Sequence, residues 1–430
     1  MNGQLQSGVV LTSQAQVSYR VISLLGAGGQ GEVYDVEAGG VHKALKWYFP
    51  KNALPQQLDI LKWLVELGSP DAAFLWPEDL IFAPDGKTFG YVMPLRPKNY
   101  KGLVDLLGFR INLSFYTRCR TAFNLAKAYE KLHASGNCYR DINYNNLFFD
   151  PDTGDVLICD NDNVAPKDMP GLVKGFPGFM APEIVRGEAI PSRHTDQYSL
   201  AVLLFHLFMI AHPLLGQQEA NIKCWDVPAQ KKLYGTNPVF IYDPNNDSNR
   251  PVPGIHDNAI IYWALYPQEL KDLFIESFTT GLSSPNKRVT EKRWMDAAAN
   301  MMSGICPCPR CGAEVLYDDA KAAGAHTCWN CRSAVPMPGV LETGKHRVLL
   351  RPGAKLPAHQ VYGNCDMDTV VGSVIQNPNN PNILGIRNEG KDNWTYIKPD
   401  GTQIPVAPGR TAAAARGAKI DFGRNTGTFK

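Results

Sequence analysis

An α+β chain built from three units is the fold class this sequence predicts, on three observations. Residues 17–300 alternate strand-like and helix-like patterns with no low-complexity break. Five of the ten cysteines fall between Cys306 and Cys331. Residues 345–430 are rich in Gly, Pro and Asn, with short β-branched runs (HRVLL, TVVGSVI, ILGIRN, WTYI, KIDFG), the pattern of a small all-β unit. Between the last two, PMPGVLETG at 336–344 has the composition of a linker. A chain of 430 residues exceeds one ordinary core, so two or three domains are expected.

The net charge is +2, so no global field points to nucleic acid or to an anionic membrane surface. The first sixteen residues lack a basic stretch followed by an apolar one, so no secretory signal is visible. The run YSLAVLLFHLFMIAHPLL, 198–215, approaches spanning length but holds His206 and His212, and a buried helix is expected there. Without a signal, clustered cysteines predict a metal site in a reducing, cytoplasmic setting and not a disulfide framework.

The first motif is LLGAGGQGEVYDV, 24–36, where Gly26, Gly28 and Gly31 give G-x-G-x-x-G and Val33 follows. Glycines let a backbone approach phosphates without Cβ clashes. A dinucleotide turn shares this spacing, but a strand-like EVYDVEAGG follows where that turn needs a helix. Next, VHKALKWYF alternates as a strand with Lys46 inside it. A lysine in a half-buried strand requires a partner: a phosphate, or water at a solvated edge.

From here the sequence resembles the protein kinase family. The resemblance runs through GYVMPL (90–95), YRDINYNN (139–146), LICDNDNVA (157–165), GFPGFMAPE (175–183), DQYSLAVLLFHLF (196–208) and NKRVT (286–290), in that order. It implies a two-lobed fold over most of 17–300. It implies that Gly26, Gly28, Gly31 and Val33 cover ATP, that Met93 and Leu95 contact its adenine, and that Lys46 contacts its phosphates. Asp141 would orient and deprotonate the acceptor hydroxyl, and Asn146 and Asp160 would hold Mg²⁺ or Mn²⁺. Glu183 and Arg288 match a buried structural ion pair, and Asp196 the brace of the catalytic loop.

The sequence departs from that pattern in several places. Tyr139 replaces a His, and Asn143 a Lys. Phe176 replaces the Thr that contacts that Lys. Asn145 is not the Arg of tyrosine kinases. The second metal motif reads Asp160-Asn161-Asp162, without its usual Phe; Asp162 is expected to be solvated, the alternative being an extra metal ligand. No Ser, Thr or Tyr lies between Asp160 and Glu183, so loop phosphorylation is not the expected activation route, and Arg140 is expected to serve structure. The segment 56–70 reads as an amphipathic helix with Leu58, Leu61, Leu64 and Val65 on its apolar face. Asp59 and Glu66 remain the two candidates for the acid that pairs with Lys46.

CPRC (308–311) and CWNC (328–331) are separated by 16 residues. Two such pairs bring four thiolates, Cys308, Cys311, Cys328 and Cys331, within tetrahedral reach of one Zn²⁺, in a pattern resembling a zinc ribbon. Cys306 is a spare thiol beside them, and His326 is expected to be a bystander. Residues 305–335 are too few to fold without the metal. Residues 347–430 resemble a forkhead-associated-type β-sandwich through GIRNEG, WTYIKPDGTQIPVAPG and GAKIDFG, without clear counterparts of its phosphothreonine-binding Arg and Ser.

Taken whole, with ALKWYFP, GSPDAAFLWPEDLIF and DND, the chain resembles the kinases of bacterial tellurium-resistance-associated phosphorylation systems. That resemblance implies a protein substrate, a PP2C-like phosphatase and a von Willebrand factor A-type protein as partners, in stress signalling. A nucleotide-binding pseudokinase scaffold and a small-molecule kinase stand as alternatives.

Overall fold

The N-terminal sheet is assembled from period-two strands and tight turns. In Gly31–Ala38, Tyr34 and Val36 are buried while Val33, Asp35 and Glu37 are partly exposed, so successive side chains take opposite faces. Gly39 and Gly40 both have positive φ and close a two-residue hairpin in which Ala38 pairs with Val41. The computed structural model describes residues 3–166, 175–322 and 324–430. Its first sheet comprises β1 (Val10–Thr12), β2 (Ser18–Ala27), β3 (Gly31–Ala38), β4 (Val41–Tyr48), β5 (Asp79–Phe82) and β6 (Phe89–Pro94). They run antiparallel in the order β1-β2-β3-β4-β6-β5, beginning before the expected residue 17. Leu45 and Trp47 of the interior strand β4 join one core cluster with Tyr34, Val36 and Val92. Alternation then turns Lys46 to the other face.

Helix α1 (Pro55–Leu67) starts at a Pro, whose fixed φ suits a first helical turn. It buries Gln57, Ile60, Leu61 and Leu64, an i, i+3, i+4, i+7 stripe. The expected face had Leu58 and Val65 in place of Gln57 and Ile60; both are only partly buried. A polar residue leads the true stripe, so apolar counting turned the helix by part of a turn.

The chain divides into two units: Met1–Ile111 with Ala128–Leu203 and Cys224–Pro238, and Asn112–Lys127 with Leu204–Lys223 and Val239–Lys430. In the first, strands Leu147–Phe149 and Val156–Ile158 form an antiparallel pair directly after the 139–146 loop. The run expected to be a buried helix lies within Arg193–Met209, and its apolar residues from Leu200 to Met209 are almost wholly buried. No helix among the described residues is long and apolar enough to cross a membrane.

The second unit holds helices Asp257–Leu265, Gln268–Phe278 and Glu291–Ser303, the cysteine segment, and a C-terminal pair of sheets. One sheet has six strands, with Val340–Thr343 paired to the terminal strand Thr426–Phe429 in its interior; the other has four. The supposed linker 336–344 therefore contributes a strand, ahead of the expected boundary at 345. Leu341, Val374, Ile386, Trp394, Ile420 and Phe429, drawn from both sheets, share one core.

Candidate active site and thiolate cluster

Lys46 is 5% exposed. Its Nζ donates to Asp162 Oδ2 at 2.8 Å, to Gln30 Oε1 at 3.1 Å and to Asp160 Oδ1 at 3.3 Å. Burial alone would lower the pKa of this ammonium, but the carboxylates of Asp162 and Asp160 raise it above its ordinary value.

Asp162 is 1% exposed, which corrects the expectation of a solvated side chain. Its Oδ2 also accepts the Tyr48 hydroxyl, and Gln57 Nε2 donates to its backbone oxygen at 2.9 Å. The reason is backbone geometry. Asp160 adopts a left-handed conformation, φ 54°, and caps a 3₁₀ turn over Asn161–Asn163 that turns Asp162 inward. Asn161, fully buried, fixes that turn by donating to Leu75 O at 2.8 Å and Ile158 O at 3.0 Å.

Asp59 and Glu66 are both exposed on α1, and neither is the partner of Lys46. Gln57 takes the inward position, and the acid comes from Asp162 instead. The signal in the sequence was the second Asp of DND together with Gln57 at the head of the stripe. Tyr48 and Gln30 also join the site, and nothing in their spacing marks them.

The 139–146 loop is held from below by Asp196, which is 1% exposed. Its carboxylate accepts Tyr139 N at 2.6 Å and Arg140 N at 2.9 Å, and lies 3.0 Å from His133 Nε2. Tyr139, in place of the His, is fully buried and donates its hydroxyl to Cys159 O. Arg140 has φ 74° and donates Nη2 to Pro166 O at 2.7 Å. Glu183 in the first unit and Arg288 in the second are each buried, and Arg288 Nε donates to Gly281 O at 2.9 Å.

Asp141 is gripped by the two asparagines of its own loop. Asn143 Nδ2 lies 3.2 Å from Asp141 Oδ1, and Asn146 Nδ2 lies 3.4 Å from Oδ2. Burial pushes the Asp141 carboxyl up to about 6, against the pull of those two donors. Phe176, in place of the Thr, packs edge-on against Tyr144 at 5.5 Å, so an aromatic contact occupies the position of the polar one. Asn146 is joined to the segment that carries Asp160, since Cys159 N donates to Asn146 O at 3.0 Å. The Asp160 side chain is 44% exposed.

The three expected glycines differ in what they do. A Cβ on Gly31 would lie 2.2 Å from Trp47 O, so close strand packing requires glycine there. A Cβ on Gly26 or Gly28 would meet nothing within 4 Å among the described residues. Val33 pairs with both Gly26 and Lys46, and Met93 pairs with Ala44. Met93 is buried and Leu95 half-buried.

The four thiols converge as expected. Cys308 Sγ lies 3.6 Å from Cys331 Sγ, and Cys311 Sγ 3.6 Å from Cys328 Sγ. Tetrahedral Zn–S bonds of about 2.3 Å need sulfur–sulfur edges of about 3.8 Å, so the set fits zinc. Each pair sits on a matching turn: Cys308 N donates to Ala313 O and Cys328 N to Ser333 O, both at 2.8 Å. Gly312 at φ 74° and Arg332 at φ 62° fill the equivalent left-handed positions. Cys306 and His326 lie outside the cluster. His326 Nε2 instead accepts Asp318 N at 3.0 Å.

The protein kinase domain family matches residues 96–299, which include the 139–146 loop and Asp160 but not β1–β6. The DNA damage-responsive serine/threonine-protein kinase RqkA of Deinococcus radiodurans is 28% identical over 262 residues, 57% of this chain and 36% of that protein. The protein kinase YegI of Escherichia coli K12 is 25% identical over 310 residues, 66% of this chain and 45% of that protein. The chain thus spans under half the length of these relatives.

Proposed function

We propose that this chain is an ATP-dependent protein kinase that transfers the γ-phosphate to protein hydroxyls, of the serine/threonine type. The observation that carries the reading is a continuous polar network. It runs from Lys46 through Asp160 to Cys159 and Asn146, and from Asn146 to Asp141. Lys46 is the cation for the nucleotide phosphates, beneath a loop whose Gly26 and Gly28 leave open space for them. Asn146 and the half-exposed Asp160 offer hard oxygen donors that suit Mg²⁺ or Mn²⁺, and these two residues would hold the metal. Such a metal neutralises charge on the β- and γ-phosphates. A carboxyl near 6 leaves Asp141 mostly ionised at neutral pH, and able to take the acceptor hydroxyl's proton.

The finer reading rests on resemblance and on the relatives' names. It comprises a bacterial, cytoplasmic stress-signalling kinase of the tellurium-resistance-associated type, acting with a PP2C-like phosphatase and a von Willebrand factor A-type protein. The thiolate cluster serves as a zinc ribbon, and the C-terminal sheets as a forkhead-associated-like interaction module. No nucleic-acid or membrane partner enters this reading.

The test is γ-phosphate transfer from labelled ATP with Mg²⁺ or Mn²⁺, comparing wild type with Asp141→Ala and Asp160→Ala, with and without a generic protein acceptor. Loss of a general base lowers rates by about 10²–10⁴-fold, and Asp141→Ala is expected to fall in that range while remaining folded. If no label moves with wild type, yet ATP raises the melting temperature, the nucleotide-binding scaffold replaces the kinase. The specific observation behind that second reading is that Lys46 is already held by Asp162.

A further inference from the structure

We propose that Asp296, His346 and His359 form a second metal site, for a divalent first-row transition ion. The site would fasten the C-terminal β unit to helix Glu291–Ser303. The three residues come from three elements: that helix, strand His346–Leu349 and helix Ala358–Tyr362. One ligand atom from each lies within 4.8 Å of the others. Asp296 Oδ1 is 3.3 Å from His359 Nε2 and 3.6 Å from His346 Nε2. Ligands about 2.0–2.1 Å from a tetrahedral ion lie about 3.4 Å apart, so these separations are those of donors around one centre.

Burial makes the arrangement hard to explain otherwise. The side chains of Asp296, His346 and His359 are 8%, 5% and 0% exposed. Among the described residues, Asp296 Oδ1 and both ring nitrogens of His359 have no hydrogen-bond partner. The 3.3 Å approach of Asp296 Oδ1 and His359 Nε2 is close enough for an ion pair but lacks the geometry of a good hydrogen bond. Leaving such groups buried without partners is costly, and a cation between them would satisfy Asp296 Oδ1 and His359 Nε2 together.

The surroundings are those of ligands held for a metal. His346 Nδ1 lies 3.3 Å from Asn300 Oδ1, and donation there leaves the Nε2 lone pair facing Asp296. The second oxygen of Asp296 takes the Lys345 ammonium, which leaves Oδ1 for the site. The His359 ring is set by Phe123, edge-on at 5.0 Å. Two imidazoles and one carboxylate suit Zn²⁺ or Fe²⁺ better than Mg²⁺ or Ca²⁺. Asp296 also lines a cavity of about 810 Å³ whose walls carry Glu269, Asp272 and Asp319 together with Arg293, Lys345 and Arg347. An ion bound this way would join residues 63 positions apart (296 to 359) and would stabilise only the folded chain.

The test is metal content of the full chain after saturation with Zn²⁺ and desalting. Two equivalents per chain are expected. The double variant Cys308→Ser/Cys311→Ser should lose one, and Asp296→Asn or His346→Gln should lose the other while keeping the thiolate site. With Co²⁺, the thiolate site gives sulfur-to-metal charge-transfer absorption. The second site gives visible bands without it, and those bands should vanish in Asp296→Asn. That substitution is nearly isosteric, and near-ultraviolet circular dichroism checks that it folds; His346→Gln gives the independent reading. A wild-type chain that holds one equivalent, all of it lost with the cysteines, overturns the proposal. So does retention of two equivalents in both Asp296→Asn and His346→Gln.

Discussion

The thiolate cluster and the Lys46 pocket both gather polar groups around a point, but they are built over different distances along the chain. Cys308 to Cys331 spans a few turns, and each pair is set by its own backbone turn. Lys46 and Asp162 are 116 residues apart, and only the assembled sheet, α1 and the 3₁₀ turn bring them together. A site of the first kind would owe its order to the zinc proposed for it. A site of the second kind owes its order to the fold, and removing one member leaves another buried and charged.

The largest consequence concerns zinc. Structural zinc contributes about 10–16 kcal/mol to small zinc domains. Chelation should therefore abolish amide-exchange protection across 305–335 and leave strands β3 and β4 protected. Equal loss of protection in both would erase the distinction. Next comes Asp162→Ala, which leaves Lys46 buried without its main partner and should cost about 3–5 kcal/mol in chemical denaturation. Asp59→Asn and Glu66→Gln, on the exposed face of α1, should stay within about 0.5 kcal/mol. A large effect from either would return the role to the helix. The smallest effect is a pH shift. Under the proposed kinase reading, phosphoryl transfer should fall as pH drops through about 6, because Asp141 becomes protonated. Asn143 donates to the ionised carboxyl and so holds its pKa down. Asn143→Ala should raise that pKa and move the acid limb of kcat/KM to higher pH. A limb that stays in place would show that this contact does not tune the base.

What could be read in the sequence follows the same division. The cysteine spacing, the order of the loop motifs and the alternation of β3 and β4 are local, and their residues lie where their patterns put them. The partner of Lys46 was not legible. Acids on an amphipathic helix can be counted, but whether a helix turns Gln57 or Asp59 inward depends on what it packs against. The burial of Asp162 is hidden from the sequence for a related reason. Its burial follows from the left-handed backbone at Asp160, a conformation that an Asp adopts only in a particular setting. Asp296, His346 and His359 carried no signal, since each stands alone among residues of other kinds.

The glycines at 26, 28 and 31 share one motif but would diverge under selection. At position 31 any other residue drives a carbon into the Trp47 carbonyl, so intolerance there records strand packing and holds whatever the chain binds. At 26 and 28 none of the described residues stands in the way of a side chain. A saturation library at these three codons would thus separate architecture from ligand. Depletion at 31 reports the fold, and depletion at 26 and 28 reports what comes to rest above the loop.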